Sequence, residues 1–205
     1  MKLKVCGLSN SIGIKTCIRY NVNFCGFILN YSKSHRFISF EKAKKLLDVD
    51  KNQTHFVGVL VKPTLTELEK FSKLNLDYFQ LYGQYDNKSL INIKNKFRKK
   101  IIITIQVKKR DDIETYKKVE DGADIILWDS TGYEKSLGWK HNWIKDIKTK
   151  REKMIAGNIT IDKLKDLSRF ADIVDVSGAL ETNKVKDIKK IKEFIMSIKK
   201  VNNEN

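Results

Sequence analysis

Four stretches of the chain place a residue able to do chemistry at the end of a short apolar run. Leu3-Lys4-Val5-Cys6 ends in a thiol followed by Gly7, and Ile125-Ile126-Leu127-Trp128 leads directly into Asp129. Ala156-Gly157-Asn158 and Ser177-Gly178-Ala179 are small, glycine-bearing turns that follow two further apolar runs. A thiolate is a base or nucleophile, a carboxyl group is a general acid or base, and backbone N–H groups of such turns can hold a phosphate. Each feature also has an ordinary reading. A cysteine commonly fills a core like a small hydrophobe, an aspartate after a strand caps a turn, the glycine turns can be tight corners, and Arg36 can be a surface charge. Taken singly, the ordinary readings suffice. Only a fold that brings these positions to one rim changes the balance.

The elements that must position them alternate from end to end. Strands are expected at 3–6, 24–29, 55–61, 77–81, 101–107, 123–128, 153–156 and 172–176. Helical patterns follow at 12–20, 40–47, 65–74, 90–97, 111–119, 143–148, 161–167 and 188–198. Eight strand-then-helix units suggest an α/β fold, a single (β/α)8 TIM barrel spanning 1–200 with a frayed tail at 201–205. The length of 205 residues sits at the short edge of the roughly 200 to 400 known for that fold. A doubly wound open sheet is the alternative, but no Gly-x-Gly-x-x-Gly follows the first strand. In a barrel the strand C-termini build the site. Cys6, the 30–36 loop with Arg36, Tyr82-Gly83, Asp129, Gly157-Asn158 and Ser177-Gly178 all fall there.

Composition narrows the function classes. The 41 Lys and Arg against 25 acidic residues give a net charge of +16, which suits small anions or nucleic acid. The lysines are nonetheless spread over helix faces, and only 94–100 is dense, so solvated faces are favoured over a nucleic-acid groove. Three cysteines without Cys-x-x-Cys spacing argue against a disulfide framework or zinc site and for a reducing cytoplasm. No apolar run is long enough to span a bilayer. Histidines at 35, 55 and 141 lack metal-ligand spacing, and no Gly-x-Ser-x-Gly or Walker loop occurs. Neither a metal nor a nucleotide cofactor is expected.

The chain resembles the phosphoribosylanthranilate isomerase family, barrel enzymes of tryptophan biosynthesis. "KVCGLS" is similar to the family opening Lys-(Ile/Val)-Cys-Gly-(Ile/Leu)-(Thr/Ser). "GFILNYSKSHRFIS", "FVGVLV", "DYFQLYG", "ILWDSTGYEKSLGW", "KMIAGNIT" and "VDVSGALETNKVKDIKKIKEFI" follow in family order. The resemblance implies an Amadori rearrangement of N-(5-phosphoribosyl)anthranilate to 1-(2-carboxyphenylamino)-1-deoxyribulose 5-phosphate. It implies Cys6 as general base, Asp129 as general acid, Arg36 facing the anthranilate carboxylate, and Gly157, Asn158, Ser177 and Gly178 holding the phosphate. It implies no cofactor or metal, a small-molecule substrate, no nucleic-acid or membrane partner, and a monomer or homodimer.

Those roles set physical demands. Cys6 needs its pKa lowered from about 8.5, and Asp129 needs its own raised well above about 4. Trp128 and Leu127 are candidates for apolar cover of the acid. The chain departs from the family at Tyr82, where His is frequent, at Asn158 and Ala179 in the phosphate turns, at His35 in place of Pro, and in a shorter loop after Asp129. These departures are expected to touch binding more than proton transfer. Weaker alternatives are another phosphosugar-binding barrel enzyme, such as an indole-glycerol-phosphate synthase, whose strand-end lysine and glutamates are not matched, and a basic nucleic-acid-binding protein.

Overall fold

In the computed structural model, which describes residues 1–130 and 138–204, eight parallel strands close into a barrel in sequence order, β1 to β8. The strands are β1 Lys2–Cys6, β2 Phe24–Ile28, β3 His55–Val61, β4 Tyr78–Tyr82, β5 Lys100–Val107, β6 Ile125–Ser130, β7 Glu152–Ile155 and β8 Ile173–Val176. Closure is made by β8 against β1, which sets Lys4 opposite Asp175 and Val5 opposite Val176. The expected barrel is therefore the observed one.

A recurrent polar clamp locks the strands in pairs at their N-terminal ends. Asn23, Asp77, Asp124 and Asp172 each stand immediately before or near the start of β2, β4, β6 and β8. Their side chains accept the N–H of the second residue of the preceding strand, from Leu3 (3.0 Å), Phe56 (2.7 Å), Ile101 (2.8 Å) and Lys153 (2.7 Å). A strand-end N–H needs an acceptor, and a short polar side chain, one asparagine and three aspartates, supplies it four times around the barrel.

The outer layer is uneven. Helices α1 Ser11–Arg19, α2 Phe40–Leu47, α3 Leu65–Ser72 and α4 Asn87–Phe97 are capped by Asn10, Ser39, Thr64 and Asp86, each accepting an N–H of the first turn. The helix expected over 111–119 is instead a 3₁₀ helix, Arg110–Lys118, and that over 143–148 is a short 3₁₀ turn at His141–Ile144. Ile113 and Tyr116 are the buried residues of the first, three apart, and three residues per turn stacks them on one side. The segment 161–167 is split into a 3₁₀ turn and a four-residue helix, α5 Leu164–Leu167. A two-stranded hairpin, β9 Glu181–Thr182 with β10 Val185–Lys186, is an element the sequence pattern does not announce. The closing helix α6 runs Ile188–Asn203, into the segment expected to fray, and Asn202 bonds the N-terminus of Met1 at 2.6 Å.

Strand alternation divides the core into two shells. Outward-facing residues such as Phe27, Phe56, Leu60, Phe79, Ile103 and Trp128 pack under the helices. Inward-facing Phe24, Val57, Tyr78, Ile102, Ile125, Met154 and Ile173 form an apolar plug in the lower lumen. Above that plug the lumen turns polar, with Lys4, Gln80, Thr104 and Asp175 all buried.

Candidate active site

The C-terminal mouth of the barrel holds a cavity of about 390 Å³ lined by Cys6, Arg36, Tyr82, Asp129, Gly157, Asn158, Ser177 and Gly178, among others. Every residue singled out from the sequence as catalytic or substrate-binding lies on this one surface. The reason is topological: parallel strands all end on the same face, so residues scattered from 6 to 178 converge.

Cys6 closes β1 and is buried. Two residues earlier on the same strand face, Lys4 is wholly buried, and its Nζ donates to Asp175 Oδ2 at 2.9 Å. Gly26, on the neighbouring strand, makes room for both groups. A methyl there would lie 2.9 Å from Cys6 Sγ and 3.0 Å from Lys4 Nζ. Burial would lower the Lys4 ammonium, but the facing Asp175 carboxylate and Cys6 outweigh it, so its pKa is raised and the charge is secure. The Cys6 thiol is pushed up by burial and by Asp175, while Lys4 and Lys186 oppose that rise. The lowered thiol pKa expected for a base is thus absent from the free chain, although the cations able to lower it are in place.

Asp129 stands on β6 opposite Gln106 of β5. Burial, aided by the negative charge of Asp175, lifts its carboxyl to about 6, against the pull of two hydrogen bonds. Those bonds come from the Tyr82 hydroxyl to Oδ2 at 2.8 Å and from the Ser130 N–H to Oδ1 at 2.7 Å. Tyr82 therefore touches the candidate acid itself, so this departure from the family pattern lies directly against that carboxyl. Trp128 does not cover Asp129. Alternation turns it outward, where its indole N–H donates to the Ile113 carbonyl at 3.2 Å and its ring meets Tyr116 edge-on.

Arg36 folds over Gly7, whose φ of +76° and lack of a side chain allow it, since a Cβ there would collide with Arg36 Cδ. The guanidinium is gripped by Glu181 in a fork, Nε to Oε1 at 2.6 Å and Nη2 to Oε2 at 2.9 Å. His35 Nε2 lies 3.2 Å from the same carboxylate. The hairpin supplies the rest. Buried Lys186 donates to Glu181, to the Ser177 carbonyl (3.0 Å) and to its hydroxyl (3.2 Å), and Ser177 Oγ donates to the Cys6 carbonyl at 3.1 Å. These cations hold the Glu181 carboxyl at about 2, overcoming burial. Lys4, Asp175, Glu181 and Lys186 escape the sequence reading. The first two carry a signal, since they stand two residues before Cys6 and Ser177 on the same strand faces. The last two depend on a hairpin with no periodicity of its own.

The turn after β7 has a tightly held backbone. Gly157 and Asn158 both have positive φ, +91° and +52°, a left-handed stretch in which the first position favours glycine. Three successive carbonyls are occupied by side chains: Ala156 by the Trp139 indole (2.8 Å), Gly157 by His141 Nε2 (2.8 Å) and Asn158 by Lys163 Nζ (2.8 Å). Burial lowers the His141 pKa, which favours the neutral ring whose Nε2–H donates here. The Asn158 side chain, the departure that could crowd a phosphate, is turned toward Gly138, where a Cβ would lie 3.6 Å from its Nδ2. On β8 the matching turn is Ser177 followed by the 3₁₀ segment Gly178–Leu180. Thr131, Gly132 and Lys135, part of the family-like motif after Asp129, and the length of that loop lie outside the described residues.

A closed (β/α)8 barrel with a thiol, an elevated carboxyl and glycine turns around one polar mouth defines an acid–base enzyme built on the barrel's C-terminal face. Comparison with known proteins makes this particular. Residues 3–197 match the family described as N-(5'phosphoribosyl)anthranilate (PRA) isomerase. An N-(5'-phosphoribosyl)anthranilate isomerase of Streptococcus mutans is 35% identical over 204 residues, covering 97% of this chain and 99% of that one. The chain belongs to this isomerase family. Two solved structures share the fold. One, of monomers of the dimeric Thermotoga maritima enzyme, has a TM-score of 0.81, 23% identity and coverage of 98% and 99%. The other, a phosphoribosyl anthranilate isomerase in complex with reduced 1-(o-carboxyphenylamino)-1-deoxyribulose 5-phosphate, has a TM-score of 0.78, 24% identity and the same coverage.

Proposed function

We propose that the cavity performs the Amadori rearrangement of N-(5'-phosphoribosyl)anthranilate, with Asp129 as general acid and Cys6 as general base, within tryptophan biosynthesis. The observation that carries this reading is the joint lining of one cavity by a carboxyl raised to about 6, a thiol beside a buried ammonium, and two glycine turns. A carboxyl of that pKa retains roughly one proton in ten at neutral pH and is basic enough to take the next one up. Asp129 gives its proton to the furanose ring oxygen as the anilino lone pair opens the C1–O bond to a Schiff base. The Cys6 thiolate removes the C2 proton, and that electron pair moves to C1 and the nitrogen to form the enolamine. Loss of the O2 proton and protonation at C1 then complete the ketone, with no net gain or loss of atoms or electrons.

Arg36, held in its fork by Glu181, faces the anthranilate carboxylate. The amides of Gly157, Asn158, Ser177 and Gly178 receive the phosphate, whose charge suits a basic chain. No cofactor is needed for these steps. The chain acts in the cytoplasm as a monomer or homodimer without nucleic-acid or membrane partners. The free, buried Cys6, Cys17 and Cys25 suit a reducing compartment. The deciding experiment is to follow freshly made phosphoribosylanthranilate by the loss of its fluorescence. Conversion that is abolished by Cys6→Ser and by Asp129→Asn in folded protein supports the assignment, and near-normal kcat in either variant removes that residue's role. Sedimentation velocity at micromolar concentration distinguishes monomer from dimer.

A further inference from the structure

We propose that Lys4 is a positioning residue for the reaction: its buried ammonium, held by Asp175, is the charge that lets Cys6 exist as a thiolate. The inference rests on the reading of Cys6 as the base and adds the group that makes that role possible.

The geometry leads to it. A lysine with no exposed surface in the lumen of a barrel is expensive unless it is paired. Lys4 gains one salt bridge from Asp175 at 2.9 Å, yet an apolar residue in its place would have filled the lumen as Met154 and Ile173 do below. Its position is dictated by the reacting atom. The absent side chain at Gly26 brings Lys4 Nζ and Cys6 Sγ within about 6 Å of each other, inside the range where an opposite charge favours ionisation. Strand alternation enforces the pairing, because residues 4 and 6 of β1 must share the inner face.

The other groups around the thiol do not replace it. Asp175 on β8 opposes ionisation, and Asp129 on β6 is at best neutral when it holds its proton. Tyr82 on β4 is pushed well above its ordinary pKa and stays neutral, as does Cys25 on β2. Lys186 on β10 and Arg36 after β2 are both bonded to Glu181, which offsets their charge. Lys4 is also shared, with Asp175. The two partners of the pair therefore act on Cys6 with opposite signs, and that contrast is the signature of the device.

The test measures alkylation of Cys6 by iodoacetamide as a function of pH, resolved by peptide mass analysis so that Cys17 and Cys25 are read separately, in the absence of substrate. In Lys4→Met the midpoint is expected to rise by about one pH unit or more, with a roughly tenfold loss of Cys6 reactivity at pH 7. In Asp175→Asn the midpoint is expected to fall, because the carboxylate that opposes ionisation of the thiol is gone. An unchanged midpoint in either folded variant, or a shift of the other sign, overturns the proposal. If Lys4→Met does not fold, Lys4→Gln, which keeps a long polar side chain and loses the charge, is read by the same criterion. Failure of the base assignment is read separately, since Cys6→Ser retaining turnover removes that role whatever the alkylation shows.

Discussion

The two ends of the barrel use the same side chain, aspartate, in opposite ways. At the N-terminal end, Asp77, Asp124 and Asp172 accept backbone N–H groups from the neighbouring strand, and Asp77 and Asp124 also bind Lys51 and Lys94. These carboxylates are satisfied by strand N–H groups and, for Asp77 and Asp124, by a lysine each. At the C-terminal end Asp129 is buried beneath the mouth, opposed by Asp175 and lifted to about 6. One arrangement satisfies the charge and stabilises the fold; the other leaves the charge under-satisfied and so makes a proton available. The difference lies in what surrounds the carboxylate, not in the residue type.

This contrast can be broken most severely at the mouth. Cys6→Ser and Asp129→Asn should each lower kcat by about 10² to 10⁴, the usual worth of a proton-transfer group, with the far-UV circular dichroism unchanged. At the opposite end, Asp77→Ala orphans the Phe56 N–H and the Lys51 ammonium. It should cost about 1–3 kcal/mol in urea unfolding while leaving kcat within about twofold. An equal loss of kcat would erase the division between the two ends.

Stability should move the other way at Asp129. Its folded pKa of about 6 lies above the ordinary 3.8, so the folded chain binds more protons between those values. Stability therefore falls as pH rises from about 4 to about 6 and stays lower above that. Asp129→Asn should remove this slope and raise the midpoint of unfolding at pH 7, read by thermal melts at pH 4, 6 and 8. A melt of the variant below the parent at pH 7 would contradict the description of Asp129 as under-satisfied.

The smallest effect concerns tuning. The Tyr82 hydroxyl donates to Asp129 and lowers its pKa. Because the Cys6 thiol titrates above Asp129 in the free chain, the limb of kcat/KM near pH 6 is the ascending one, and Tyr82→Phe should move it to higher pH by several tenths to about one unit. An unmoved limb assigns that limb to another group.

Much of the barrel was legible because alternation of apolar strand and amphipathic helix is a local pattern. Leu3–Cys6, His55–Val61 and Ile101–Val107 read as strands from composition alone and lie within or match the observed elements. The helical layer of the second half was less legible. Ile113 and Tyr116 are three apart, a spacing compatible with either helix type, and contacts with the barrel selected the tighter one. The hairpin carrying Glu181 and Lys186 has two-residue strands, too short to carry a period.

The sequence by itself determined the count of barrel strands, the placement of Cys6, Asp129 and the glycine turns at strand ends, and the family. These follow from local periodicity and from motifs that are contiguous in the chain. Only the tertiary structure decided the electrostatics: that Lys4 meets Asp175 across 171 residues at 2.9 Å, that Glu181 grips Arg36 across 145 residues, and that Tyr82 reaches Asp129. A pKa depends on burial and on charges within a few ångströms, and closure of β8 onto β1 is what brings those charges together.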